Sequence, residues 1–151
     1  MSNTIYTDSI IIDASNHILG RLASFIAKKL LQGYRVFVVN AEKAVVSCTS
    51  RQSIVEEWKN FIEVGRYRAG PLHYRRPDRI LRRVVRGMLP YRTERGRRAY
   101  KRLKVYIGFP EELKGCSILE VPEAKSDKLR CRFITLAELA ESIGWKCGGE
   151  D

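Results

Sequence analysis

The sequence lacks the features of a membrane protein, a metalloprotein or a disulfide scaffold. No apolar run approaches the length of about 18 residues that a membrane-spanning helix needs, and the opening "MSNTIYTDS" lacks the regions of a signal peptide. The cysteines form no CxxC pair, and there are only two histidines. These residues are Cys48, Cys116, Cys131, Cys147, His17 and His73. Such scattered ligands predict reduced cytoplasmic thiols, with no membrane partner and no metal.

A catalytic or cofactor-binding motif is also missing. After the first predicted strand, "DASNHILGRL" contains only Gly20, without the GxGxxG or P-loop pattern of nucleotide-binding folds. The acidic residues Asp13, Glu42 and Glu63 are too scattered to suggest a metal pair, and neither histidine belongs to a recognisable acid–base group. We therefore expect no enzyme activity, no cofactor and no small-molecule substrate.

Positive charge, in contrast, is abundant and concentrated. The net charge is +11, and residues 65–104 hold fifteen Arg or Lys against two acids, which leaves thirteen bases and fifteen acids elsewhere. Repulsion at this density opposes folding unless an outside partner neutralises it. The pattern predicts an anionic partner for this basic segment, residues 65–104. Three alternatives remain: a solvated charged helix, a membrane-surface helix, and a free-standing RNA enzyme or regulator.

Outside the basic segment, strands alternate with helices. Apolar or β-branched runs predict strands at 9–14, 35–40, 44–47 and 104–108, and helical periodicity predicts a helix after the first strand, another after Thr49 and a third near the C-terminus. The predicted caps are Ser15 or Asn16, a Thr49/Gln52 capping box and a Thr135/Glu138 capping box. This order predicts a single α/β domain over residues 1–151, with a mostly parallel sheet covered by helices.

The basic segment divides into a loop and a helix. Residues 65–76 contain Gly and Pro, and their apolar residues do not recur with helical spacing, so this part is predicted to be a loop. Pro77 suits the first turn of a helix, which Pro90 terminates. At about 100° per residue, one face of this helix is apolar and the other carries four arginines. The apolar residues are Ile80, Leu81, Val84, Val85 and Met88, and the arginines are Arg79, Arg82, Arg83 and Arg86. A second basic stretch, "TERGRRAYKRLK", leads into the next strand.

The composition of the basic segment indicates RNA. Thirteen of its fifteen bases are arginine, which binds phosphate in a bidentate manner and stacks on bases. Four of the seven tyrosines in the chain, Tyr67, Tyr74, Tyr91 and Tyr100, lie among them. Aromatic rings among arginines suit a partner with phosphates and exposed bases, such as structured RNA with loops.

Three stretches resemble the universal large-subunit ribosomal protein thirteen family. They are "DASNHILGRLAS" at 13–24, "VVNAEKAVVS" at 38–47 and "VRGMLPYRTERGRRAYKRLKVYIGFP" at 85–110, and the short C-terminal part is similar to archaeal members. The resemblance implies a three-layer α/β/α body with a basic loop-helix extension. It also implies a non-catalytic role in the cytoplasmic ribosome, with large-subunit rRNA and neighbouring ribosomal proteins as partners.

We predict that the RNA-binding residues come from the basic segment, with one addition. The addition is Lys43, which the turn "NAEK" at a strand end could direct toward RNA. The predicted set is Lys43, Arg66, Tyr67, Arg68, His73, Tyr74, Arg75, Arg76, Arg79, Arg82, Arg83, Arg86, Tyr91, Arg92, Arg95, Arg97, Arg98, Lys101 and Arg102.

Overall fold

The computed structural model describes residues 9–65 and 70–146. The strands are β1 (Ser9–Asp13), β2 (Arg35–Val39), β3 (Val45–Cys48), β4 (Leu103–Val105), β5 (Ile118–Leu119) and β6 (Arg132–Thr135). The helices are α1 (Leu19–Leu31), α2 (Arg51–Glu63), α3 (Pro77–Met88), α4 (Glu94–Lys101) and α5 (Leu136–Ser142). Strands and helices alternate through the first half of the chain, as the hydrophobic pattern predicts.

The central sheet has the strand order β4-β2-β1-β5, and every pairing in it is parallel. Parallel strands are buried on both faces and therefore read as unbroken apolar runs, which explains why "RVFVV" lacks alternation. The α/β prediction with a mostly parallel sheet is confirmed, and the arrangement is that of a three-layer α/β/α fold. A second, antiparallel pair of β3 and β6, in which Val45 pairs with Thr135, was not predicted.

The core lies between the sheet and the helices that cover it. Ile12 of β1, Val36 and Val38 of β2, and Leu22 and Leu30 of α1 are all fully buried. Both α3 and α4 pack on α1. As a result, the apolar face of α3 belongs to the same core as the sheet, and the basic segment is anchored to the α/β body.

Two of the predicted helix caps are wrong. Helix α1 begins only at Leu19, because Asn16 takes a left-handed φ of 56° and Ser15 bonds back to Asp13, so these polar residues form a turn instead of a cap. The N-cap of α2 is Ser50, one residue beyond the predicted Thr49, and it makes no side-chain capping bond.

The cap of α5 and the end of the last helix agree with the sequence. The hydroxyl of Thr135 accepts a hydrogen bond from the backbone N–H of Glu138 at 3.3 Å, which is half of the predicted capping box. Gly144 follows the helix with a φ of 102°, a conformation that favours glycine. The strand predicted at 104–108 is shorter than expected: β4 begins one residue earlier and ends at Val105, spanning only Leu103–Val105.

Candidate nucleic-acid interface

Helix α3 separates an apolar underside from a charged outer face, as predicted. The exception is Met88, which was predicted on the apolar face but is 42% exposed at the last position of the helix. Ile80, Leu81 and Val85 are buried in the core, and Pro77 occupies the first turn. The four predicted arginines of the opposite face are all exposed. Burial of the underside fixes the helix on the protein, so the outer face is held rigidly toward solvent.

A tight turn joins α3 to α4, the second basic helix, which the sequence analysis did not predict. Thr93 is the N-cap of α4: its Oγ1 donates to the carbonyl of Pro90 at 2.8 Å and accepts from the N–H of Gly96 at 3.3 Å. A Cβ atom on Gly96 would lie only 2.0 Å from that same carbonyl oxygen. Only glycine fits this approach, so Thr93 and Gly96 together set how α4 leaves the turn.

Aromatic rings hold the arginines of α3 in place. The guanidinium carbon of Arg86 lies 4.1 Å from the ring centroid of Tyr91, and that of Arg82 lies 4.8 Å from Tyr100. The remaining pairs, at 5.3 and 5.6 Å, are Arg83 with Phe61 and Arg79 with Tyr74. A contact of this kind attracts a cation to the negative face of a ring. The four guanidiniums stay exposed to solvent, although Arg83 also bonds to His73.

Two of these rings, Tyr91 and Tyr100, also contact each other between α3 and α4. They meet edge to face, with centroids 5.5 Å apart. Burial raises the pKa of the Tyr100 hydroxyl, although the charges of Arg82 and Arg86 act in the opposite direction. Tyr100 and Phe61 were not among the predicted site residues, because their contacts with arginine join segments that are separate in the sequence.

Few acids oppose this charge. Within the described part of the basic segment, Asp78 pairs with Arg76 at 3.2 Å and Glu94 pairs with Arg98 one helical turn away. Arg97 instead donates to two backbone carbonyls of the preceding turn, those of Tyr91 at 3.4 Å and of Arg92 at 3.2 Å. The predicted residues Arg92, Arg95 and Lys101 are exposed around the same helix.

The loop before α3 lies against the body through side chains. The ring of His73 lies 4.0 Å from that of Phe61, and Arg83 Nη1 is 3.0 Å from His73 Nδ1. Because a guanidinium can only donate, Nδ1 is the acceptor in this bond. Arg75 reaches the turn after α5, where its guanidinium lies beside Gly144. The predicted residues Arg66, Tyr67 and Arg68 lie outside the described residues.

Arg102 and Lys43 differ from the rest of the predicted set. Arg102 is half-buried, and its Nη2 donates to the carbonyl of Leu30, at the end of α1, at 2.8 Å. Its position therefore joins α4 to α1. Lys43 is exposed at the end of the short 3-10 turn Ala41–Lys43, and this turn packs against α3. Lys43 is thus the one predicted residue from outside the basic segment that lies near it.

Within residues 9–65 and 70–146, no three His, Cys, Asp or Glu side chains are grouped so that they could bind a metal ion. The same residues contain no helix with the length and apolar character required to cross a membrane.

Comparison with known proteins links this fold to a ribosomal family. The family described as Ribosomal protein L13 matches residues 7–112. Large ribosomal subunit protein uL13 of Methanopyrus kandleri is 46% identical over 142 residues, which cover 92% of this chain and 89% of the relative. The uL13 proteins of Archaeoglobus fulgidus and Aeropyrum pernix are 45% and 44% identical, and each match covers more than nine-tenths of both chains.

Proposed function

The chain belongs to the ribosomal protein L13 family, and we propose that it is a structural component of the large ribosomal subunit that binds and compacts rRNA through its basic segment. Members of this family are structural, non-catalytic parts of the ribosome. The proposed partners are large-subunit rRNA and neighbouring ribosomal proteins, and the proposed location is the cytoplasmic ribosome.

One observation carries the rRNA proposal: the guanidiniums of α3 lie over aromatic rings along an exposed face. The four arginines in such cation–π contacts are Arg79, Arg82, Arg83 and Arg86. A guanidinium held over a ring has less rotamer freedom to lose when its N–H groups meet phosphate oxygens. Each phosphate contact releases condensed counterions, which allows two RNA segments to approach each other.

The same geometry disfavours a membrane-surface helix. Such a helix buries its apolar face in the lipid headgroup region. Helix α3 instead buries Ile80, Leu81 and Val85 in the protein core. The side that remains exposed is the arginine side, which has charge but no continuous apolar anchor.

The proposal is tested by the variant Arg82→Gln/Arg83→Gln/Arg86→Gln. Binding to large-subunit rRNA should weaken, and the slope of log affinity against log salt should fall by up to about 0.9 per lost duplex phosphate contact. For the wild type, about 6–10 contacts would reduce affinity by about 10³–10⁵ between roughly 50 and 200 mM salt. The matched control Arg21→Gln/Lys28→Gln/Lys59→Gln removes the same charge from exposed positions of α1 and α2.

The control should bind rRNA nearly as the wild type does. A salt-independent affinity of the wild type, or equal losses in the two variants, would contradict the proposed role of α3. Sedimentation gives a second readout, because the wild type should co-migrate with large subunits through a gradient of moderate salt.

A further inference from the structure

We infer that the protein has a second RNA-contact site, an arginine groove at the N-terminal end of α2; this inference rests on the proposed function. The groove has a volume of about 720 Å³. Its lining residues are Ser50, Arg51, Gln52, Arg130, Cys131, Arg132 and Phe133. None of them belongs to the basic segment, and none was predicted from the sequence to bind RNA.

The chemistry of the arginine groove resembles that of the α3 surface. Three arginines line it, all three are exposed, and no carboxylate is among the lining residues. The ring of Phe133 lies among them and is 42% exposed. Arg51 forms an ion pair with Glu138, whose Oε2 is 3.8 Å from Arg51 Nη1, and both side chains are open to solvent. An exposed pair at this distance contributes little, so the three charges remain available for phosphates while the ring offers a stacking surface for a base.

The fold brings these residues together from distant parts of the chain. Arg132 begins β6 and pairs directly with Cys48 at the end of β3, and the chain after β3 enters α2 at Arg51. The antiparallel β3–β6 pair therefore joins a basic stretch near the C-terminus to the start of α2. Outside the basic segment the chain has fifteen acids and thirteen bases, so a groove lined by three arginines and no carboxylate is a local excess of positive charge.

Helix α2 separates the arginine groove from the α3 surface. Phe61 is ten residues after Arg51, which at 1.5 Å per residue corresponds to about 15 Å along the helix. At the far end, the Phe61 ring contacts Arg83 and His73 of the first site. The two arginine surfaces thus occupy opposite ends of one helix. This spacing suits two separate RNA segments, and simultaneous binding of both would raise the avidity for folded rRNA.

A bridging assay tests this inference directly. An RNA duplex fixed to beads is incubated with the protein, and capture of a second, fluorescent RNA duplex is measured. The wild type should capture it. The variant Arg51→Gln/Arg130→Gln/Arg132→Gln should still bind the fixed RNA but lose most of the capture, and its salt slope on large-subunit rRNA should fall by up to about 2–3 units. Lysine at the same three positions should restore much of the capture, because the charge remains.

Controls separate bridging from nonspecific aggregation and from misfolding. The variant Arg21→Gln/Lys28→Gln/Lys59→Gln carries the same total charge and should capture RNA as the wild type does. Because the three groove arginines are exposed, the glutamine variant should melt within a few degrees of the wild type, and the lysine variant provides a second folded comparison.

Two outcomes would overturn the inference: unchanged capture by the groove variant, or an equal loss in the control. The two triple variants together distinguish failure of the second site from failure of the proposed function. If Arg82→Gln/Arg83→Gln/Arg86→Gln loses affinity while the groove variant does not, only the second site fails. If neither triple variant changes rRNA affinity, the proposed function itself fails.

Discussion

The α/β body and the α3–α4 pair direct their polar groups in opposite ways. In the body, Oδ1 of Asp13 accepts three hydrogen bonds, from the N–H and hydroxyl of Ser15 and from the side chain of Asn40. In the α3–α4 pair, Arg82 and Arg86 lie over rings and remain exposed, while Thr93 and Arg97 bond to the turn between the helices. The Asp13 carboxylate is thus committed to its own turn, whereas the outer face of α3 presents arginines to solvent. The comparison indicates that a surface with many like charges needs apolar burial on its inner side to stay folded.

The packing explains how the α3–α4 pair tolerates its charge in the absence of RNA. The underside of α3 contributes Ile80, Leu81 and Val85 to the common core, and Leu89 after the helix is buried as well. On the outer side, four aromatic rings offset part of the repulsion by attracting guanidiniums to their faces. Apolar burial and ring stacking therefore stabilise the same helix from two sides.

The largest expected effect comes from the turn between the two basic helices. In Gly96→Ala, the new Cβ would lie 2.0 Å from the Pro90 carbonyl oxygen, so the backbone has to move. We expect a loss of about 3 kcal/mol or more in the free energy of unfolding by urea, at the upper end for overpacking. Gly87→Ala is the control, because its Cβ meets nothing within 4 Å, and it should stabilise α3 by about 0.5–1 kcal/mol. Equal effects at the two glycines would contradict this account of the turn.

The next effect separates the two faces of α3. Val85 is fully buried, and Val85→Ala should reduce the free energy of unfolding by about 1–3 kcal/mol. Val84 is only half-buried, so Val84→Ala should cost less than about 1 kcal/mol. Both variants should keep the salt slope of rRNA binding. A change in that slope, with stability unaltered, would mean that the face assignment is inverted.

The sequence was sufficient for α3 and for three of the four parallel strands, β1, β2 and β4, and the reasons are local. The two-residue strand β5 was not predicted, because so short a segment has no recognisable hydrophobic pattern. Pro77 and Pro90 mark the limits of α3, and its apolar and basic residues recur with helical spacing. Helix α4 has no such apolar stripe, since its buried residues are Gly96 and Ala99, whose small side chains give a weak hydrophobic signal. The sequence therefore predicts a basic stretch at this position and no helix.

Other features depend on contacts between distant residues. The pairing of β3 with β6 joins positions about ninety residues apart, such as Val45 and Thr135. The contact of Arg83 with the Phe61 ring joins α3 to α2, two elements that are separate in the sequence. Periodicity describes one element at a time, so neither the arginine groove nor the ring contacts could be inferred from it.

A smaller effect should distinguish two roles of the tyrosines between α3 and α4. If Tyr91 and Tyr100 mainly orient arginines, Tyr→Leu at either position should cost about 0.5–1 kcal/mol in stability and a few-fold in rRNA affinity. Tyr→Phe keeps the ring and should change neither. If the tyrosines also stack on bases, Tyr→Leu should have the same cost in stability and weaken binding further, by about 1–3 kcal/mol. Urea unfolding and rRNA titration of the same variants decide between these results.

The smallest expected effect belongs to the body and depends on pH. Burial raises the pKa of the Asp13 carboxyl, but hydrogen bonds from Ser15 and Asn40, with the charge of His17, outweigh it, so the pKa lies below its ordinary value. A depressed folded-state pKa means stabilisation that is present above the unfolded-state pKa of about 3.9 and is lost as pH falls through the folded-state value. The stability difference between the wild type and Asp13→Asn should therefore be constant from neutral pH down to about 5 and shrink below about 4. Urea unfolding at several pH values measures it. A difference that persists unchanged at low pH would mean that the Asp13 bonds contribute no charge-dependent stability to the body.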